Sequence, residues 1–185
     1  MTSRMVEGYS VALAEPDQLE FLAEIERQAA QLFVGWNVPA SILAESTDLE
    51  EFREAQRNGH LWVALAPDRH PVGFAMVEEC SDTCHLEELD VHPEHGRKGV
   101  GSALVRAICD WARQRGLAAV TLTTYRDVPW NAPLYTRLGF RILAPEALTD
   151  ALEARVGREA ARGLEPARRV VMRIDLEATR SSPGI

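Results

Sequence analysis

A chain of 185 residues that is 46% hydrophobic and 26% charged is long enough to bury a core and too ordinary in composition for a fibrous or disordered protein. Twenty Lys and Arg against 28 Asp and Glu give a formal charge of −8, which argues against a general nucleic-acid binder with its basic excess. No apolar run approaches the roughly 18 residues of a membrane span. MTSRMVEGYS lacks the apolar stretch of a signal peptide. Cys80, Cys84 and Cys109 are too few, and odd in number, for a disulfide framework. We therefore expect a cytoplasmic protein of one domain over 1–185, with a core at about 8–177 and a frayed tail at 178–185.

In chain order, YSVALAEPDQ reads as a short strand ending at Pro16. DQLEFLAEIERQAAQLF spaces Leu19, Leu22, Ile25, Ala29 and Leu32 for one helical face. Residues 35–46 read as irregular around Pro39, and DLEEFREAQRNG as a shorter helix capped by Asp48 and stopped by Gly59. HLWVALAP and PVGFAMVEEC form a hairpin around DRH, and CHLEELDVHP is a strand closed by Pro93. A helix over about 99–115 carries an apolar stripe of Val100, Ala103, Leu104, Ala107, Ile108, Trp111 and Ala112, and Gly116 ends it. LAAVTLTTY is a strand, NAPLYTRLG one or two helical turns and FRIL a short strand. Residues 146–163 form a charged helix before a last strand, RRVVMRIDL. The order implies one α/β domain with a mixed sheet covered by helices.

HPEHGRKGVGSAL, from His92, places Gly96, Gly99 and Gly101 with Arg97 and Lys98 at the entrance to a helix. Unpaired N–H groups and the positive end of the helix dipole favour an anion there, phosphate being the usual one. The loop is not a P-loop, since Gly101 and not lysine precedes Ser102, and a dinucleotide fingerprint would want glycine at Leu104. Read alone, it also suits a turn whose glycines let the helix pack closely.

LDVHPEHGRKGVGSAL followed by WNAPLYTRLGF resembles the GCN5-related N-acetyltransferase (GNAT) family, most specifically over about 84–140. The resemblance implies a central twisted mixed sheet of about six to seven strands with helices on both faces. It also implies that the loop wraps the pyrophosphate of acetyl-CoA through the pattern Gln/Arg-x-x-Gly-x-Gly/Ala. Gly99 and Gly101 match that pattern, whereas Gly96 stands where Gln or Arg is usual and Arg97 is its neighbouring substitute. The implied coenzyme contacts are Gly96, Arg97, Lys98, Gly99, Val100, Gly101 and Ser102. Family members bulge the strand at Leu89, Asp90 and Val91, so that its backbone meets the pantetheine arm. Asn131 and Tyr135 match further coenzyme-contacting positions, although Asn131 serves equally well as a helix cap.

Acetyl transfer to an amine requires a base, because an alkyl ammonium has a pKa of about 10.4. Glu87 and Glu88 are the candidates. Strand alternation sends them to opposite faces, so one at most meets the acceptor. Among relatives the first acid of such a strand is the usual base, which favours Glu87, with Glu88 as its substitute and His85 on the same side as Glu87. Tyr135 matches the family's general acid. The scheme needs no metal, and Cys80, Cys84 and His85 lack a fourth ligand and zinc-like spacing.

Phe33, Trp36, Tyr125 and Trp130 suit either core packing or an aromatic wall of the acceptor pocket, and the charged 145–168 segment suits a solvated helix, a cleft cover or a dimer surface. The expectation is an acetyl-CoA-dependent N-acetyltransferase for a primary amine on a small molecule or peptide, by direct transfer, with a homodimer left open. The alternative is a catalytically inactive CoA-binding regulatory module of the same fold.

Overall fold

In the computed structural model, which describes residues 5–176, a seven-stranded sheet runs through the molecule. Its strands are β1 (Ser10–Leu13), β2 (Leu61–Leu65), β3 (Pro71–Cys80), β4 (Thr83–Val91), β5 (Ala119–Tyr125), β6 (Arg141–Ile142) and β7 (Arg169–Asp175). The spatial order is β1-β2-β3-β4-β5-β7-β6. Every neighbouring pair is antiparallel except β4 and β5. That parallel pair needs a crossover, supplied by α4 (Val100–Gln114).

The remaining helices are α1 (Leu22–Ala30), α2 (Ala40–Leu43), α3 (Leu49–Arg57), α5 (Ala132–Arg137) and α6 (Asp150–Ala161). Both sheet faces are covered. On one, Val100, Leu104, Ile108 and Ala112 of α4 join Leu86, Leu122 and Met172 in the larger core. On the other, Leu22 and Ile25 of α1 and Phe52 of α3 pack on Val63, Phe74 and Met76. Phe52 meets Phe74 edge-on at 5.2 Å between ring centroids. Asp48 caps α3 as expected, accepting from the Glu50 N–H at 2.7 Å.

Three expectations are corrected. The first helix is shorter than its apolar pattern, because Pro16–Phe21 and Gln31–Phe33 are 3₁₀ turns on either side of α1, and Leu32 is exposed. Residues 40–43, read as irregular, form α2, begun by Pro39 at the N-cap. The helix expected over 146–163 begins only at Asp150, because Thr149 provides the cap by accepting from the Leu152 N–H. The tail expectation at 178–185 lies outside the described residues.

The sheet is not closed along its whole height. β4 pairs with β5 only from Thr83↔Ala119 to Leu86↔Leu122. Beyond that point β4 continues on β3 as far as Gly73↔Val91, while β5 continues on β7 as far as Tyr125↔Arg169. The two strands therefore part, and a V opens inside the sheet. The 26-odd residues between β6 and β7 carry α6 against the face away from α4, with Leu152 and Val156 packed on Leu143 and Val171.

Candidate functional site

The glycine loop forms from a tight turn at Pro93–His95, followed by Arg97 at φ +59° and Gly99 at φ +81°, the N-cap of α4. Two of its glycines answer to the fold. Gly99 needs the left-handed region, and a Cβ on Gly96 would lie 3.1 Å from the Pro93 carbonyl oxygen. Gly101 answers to neither cause. It sits in the first turn of α4, and a Cβ there would meet only Leu89 Cδ2 at 3.5 Å and Val91 Cγ2 at 3.8 Å, ordinary contacts. The protein leaves room for a side chain that the sequence does not supply. Together with the unpaired N–H groups of the helix start, this space fits a phosphate-bearing ligand pressed against backbone. Arg97 borders the cleft, but the Lys98 ammonium is turned to the Tyr9 hydroxyl at 3.1 Å and is absent from the cleft lining.

That cleft holds about 1350 Å³, above the roughly 300–1,000 Å³ of single-ligand pockets. One wall is the open edge of β4. The His92 N–H donates to Val72 O, so by ladder alternation Asp90 also points its backbone groups at β3, while Leu89 and Val91 point theirs into the V. The register across β3 is regular at 89–91. The bulge expected there lies two residues earlier: Met76 faces Glu88 and Val77 faces Leu86, which leaves Glu87 as the extra residue. The backbone at Leu89 and Val91 is freed by the splay of β5 instead.

The bulge also overturns the expectation that Glu87 and Glu88 point to opposite faces. Two residues oppose one across a bulge, so the alternation slips by one. Glu88 and Asp90, opposite Met76 and Phe74, lie on the α1 face, and Glu87 reaches α6 on that same side. Both glutamates border the cleft.

Their surroundings differ. Glu87 Oε1 is 2.5 Å from Nη1 of Arg155 on α6, which also pairs with Glu78. Burial lifts the Glu87 carboxyl to about 7 even against this attraction. Glu88 has no such cation. Its side chain is hydrogen-bonded to Asp90, and confinement among protein atoms, followed by repulsion from Glu26, pushes it up to about 7. The Asp90 carboxyl is pushed well above its ordinary range by burial and by the neighbouring Glu88. Arg169, which attracts Glu88 from a distance, is already paired with Glu159 at 2.9 Å.

Tyr135 stands beside this pair, 8% exposed, its hydroxyl held protonated by burial and by the negative charge of Glu88 and Asp90. Asn131 opens α5 without a side-chain capping bond, so its amide is not committed to the helix. His85 is buried, with Nδ1 at 2.8 Å from Thr121 Oγ1, and burial takes it down to about 3, leaving a neutral ring rather than a base for neutral pH. Phe33, Trp36, Tyr125 and Trp130 do cluster: Trp130 meets Phe33 at 5.8 Å and Trp36 at 5.3 Å, and Phe33 meets Tyr125 at 5.8 Å. Phe33, Tyr125 and Trp130 border the cleft. Near the loop, His92, Glu94 and His95 bring potential ligand atoms within 4.8 Å of one another, with His95 Nδ1 already bonded to Tyr9.

Sequence reasoning missed Glu26 and Arg155, whose partners lie far away along the chain. It also missed the bulge, although a signal was available. From His85 to Val91 the polar and apolar residues alternate and then slip by one between Glu87 and Glu88.

The sequence profile of the Acetyltransferase (GNAT) family matches residues 19–140. Aminoglycoside N(6')-acetyltransferase type 1 of Klebsiella aerogenes is 38% identical over 108 residues, 53% of this chain and 71% of that one. Streptothricin acetyltransferase of Streptomyces lavendulae is 34% identical over 84 residues, so the chain spans only 43% of that relative's length. The PaiA N-acetyltransferase from Thermoplasma acidophilum, solved in complex with coenzyme A, shares the fold with a TM-score of 0.69 at 17% identity, over 90% of this chain and 98% of that one. The chain belongs to the GNAT acetyltransferase family. Among the described residues no helix is long and apolar enough to cross a membrane.

Proposed function

We propose that the protein is an acetyl-CoA-dependent N-acetyltransferase that acts on a primary amine of a small molecule, by direct transfer in a ternary complex within one catalytic domain. One observation carries this reading: the glycine loop, the open β4 edge and the Glu88–Asp90 pair all border a single cleft. Relatives named for streptothricin and an aminoglycoside support a small-molecule acceptor. The three free thiols suit a reducing cytoplasm.

Bound acetyl-CoA supplies the acyl group as a thioester. The N–H groups at the start of α4 and the Arg97 guanidinium are the groups to hold its phosphates, with the Leu89 and Val91 backbone and the Asn131 amide further along. Glu88 is the base in this reading: a carboxyl poised near 7 accepts a proton at neutral pH more readily than an ordinary glutamate. Glu87 is set aside from that role because Arg155 holds it. Asp90 positions Glu88, and the Tyr135 hydroxyl is the donor on the other side of the reaction.

The test is calorimetric titration with acetyl-CoA, using ATP as control, followed by an amine panel read by CoA release and product mass. Saturable acetyl-CoA binding, acetylated amine, and no acetylated protein after incubation with acetyl-CoA alone are expected. Binding without transfer to any amine would leave the inactive CoA-binding module in its place.

A further inference from the structure

Charge in the cleft is unevenly compensated. On the α6 side Glu87 is paired with Arg155, Glu159 with Arg169 and Glu45 with Arg162. On the α1 side Glu26, Glu88 and Asp90 border the same cavity, and among the described residues no Lys, Arg or His lies within 4 Å of their carboxyls. Glu26 is nevertheless firmly held. Its Oε2 accepts from the Thr47 N–H at 2.9 Å and the Ser46 hydroxyl at 3.2 Å, and its Oε1 from the Thr47 hydroxyl at 3.1 Å. These donors are neutral. They fix the oxygens in place without cancelling a charge, and so leave a rigid anionic post half-buried in the wall.

We propose that the acceptor is at least a dication, with one amine reacting at Glu88 while a second, still protonated, is held by Glu26. The inference rests on the acetyl-transfer reading above. A monoamine arrives as an ammonium, and on giving its proton to Glu88 it loses the charge that anchored it. A second ammonium at Glu26 keeps its pairing throughout the reaction. The rings of Phe33 and Trp130, which border the same cavity, give the carbon skeleton between the two amines an apolar surface. The α6 side, where each of these acids already has its arginine, offers a second cation no equivalent place.

The experiment is calorimetric titration of the CoA-saturated protein with diaminoalkanes of three to six carbons, against monoalkylamines of the same lengths, with kcat/KM for each in parallel. The best diamine is expected to bind at least tenfold tighter than its matched monoamine, and the advantage is expected to shrink as salt rises. Glu26→Gln removes the advantage, Glu26→Asp retains part of it, and Glu146→Gln, on the exposed surface, leaves it unchanged. Thermal melts show that each variant is folded. Equal affinity for mono- and diamines, or an advantage that survives Glu26→Gln, overturns the inference while leaving acetyl transfer intact. Failure to bind acetyl-CoA overturns both.

Discussion

Glu88 is hydrogen-bonded to Asp90, two positions further along β4, and neither carboxyl has a cation within 4 Å among the described residues. With the Glu88 carboxyl lifted from 4.5 to about 7, activity that depends on its unprotonated form should fall as pH drops below about 7. Glu88→Gln should lower kcat by about 10²–10⁴-fold and remove that acid limb. A kcat/KM profile that keeps the limb in the variant would assign it to another group.

The same shift has a stability consequence of definite sign. In the unfolded chain Glu88 ionises near 4.5 and in the folded chain near 7, so the unfolded state releases its proton first as pH rises. Folding stability is lost across that window and the full penalty is present above it. Melts of Glu88→Gln should therefore gain on the wild type between pH 5 and pH 8. A difference in Tm that is constant with pH would contradict the shift.

Gly101 and Gly99 should respond in opposite ways to alanine. Gly101→Ala meets no close contact and removes a helical glycine, so it should stabilise the fold by up to about 1 kcal/mol while weakening acetyl-CoA binding about tenfold or more. Gly99→Ala, at φ +81°, should cost about 1–2 kcal/mol of stability. Melting and calorimetry on the two variants separate a ligand cradle from a packing turn. Unchanged affinity in Gly101→Ala would remove the loop's assignment.

Tyr135→Phe deletes a hydroxyl that burial and the neighbouring acids keep protonated. It should slow turnover with little change in acetyl-CoA affinity, and the wild-type profile should show no tyrosine ionisation below pH 9. Parallel kinetics and titration check both halves.

Arg155→Gln leaves Glu78 and Glu87 facing one another without the cation that pairs with both. The loss should be about 1 kcal/mol at pH 8, a modest figure because Glu78 is over half exposed, and smaller at pH 5, where Glu87 is protonated. Denaturant unfolding at the two pH values measures it. An equal loss at both would mean that Arg155 acts by packing alone.

Much of this architecture was legible in short stretches of sequence. The apolar stripe of α4, the Asp48 cap and the glycines before Val100 are local signals, and each does locally what its chemistry dictates. That the strand carries two adjacent acids, Glu87 and Glu88, is legible in the sequence, but their common facing is not, because strict alternation ignores the inserted residue. The partners of Arg155 and Glu26 were illegible for a different reason. A charged helix and a helix carboxylate look solvated until the strands and turns that complete them are assembled, in the case of Arg155 and Glu78 from 77 residues away.

The V between β4 and β5 means that this sheet has an edge in its middle as well as at its rims. Exposed strand edges are usually blunted by charge, proline or a covering loop, yet at Leu89 and Val91 the backbone is offered inward and left bare. On the acetyl-transfer reading proposed above, cohesion across that gap is delegated to the bound coenzyme, which would make it a structural member of the fold while it is there. Amide exchange at Leu89 and Val91 should therefore slow on loading, and the two halves of the sheet, whose ladder across β4 and β5 runs through only four residue pairs, should stiffen toward one another when the V is filled and relax again on release.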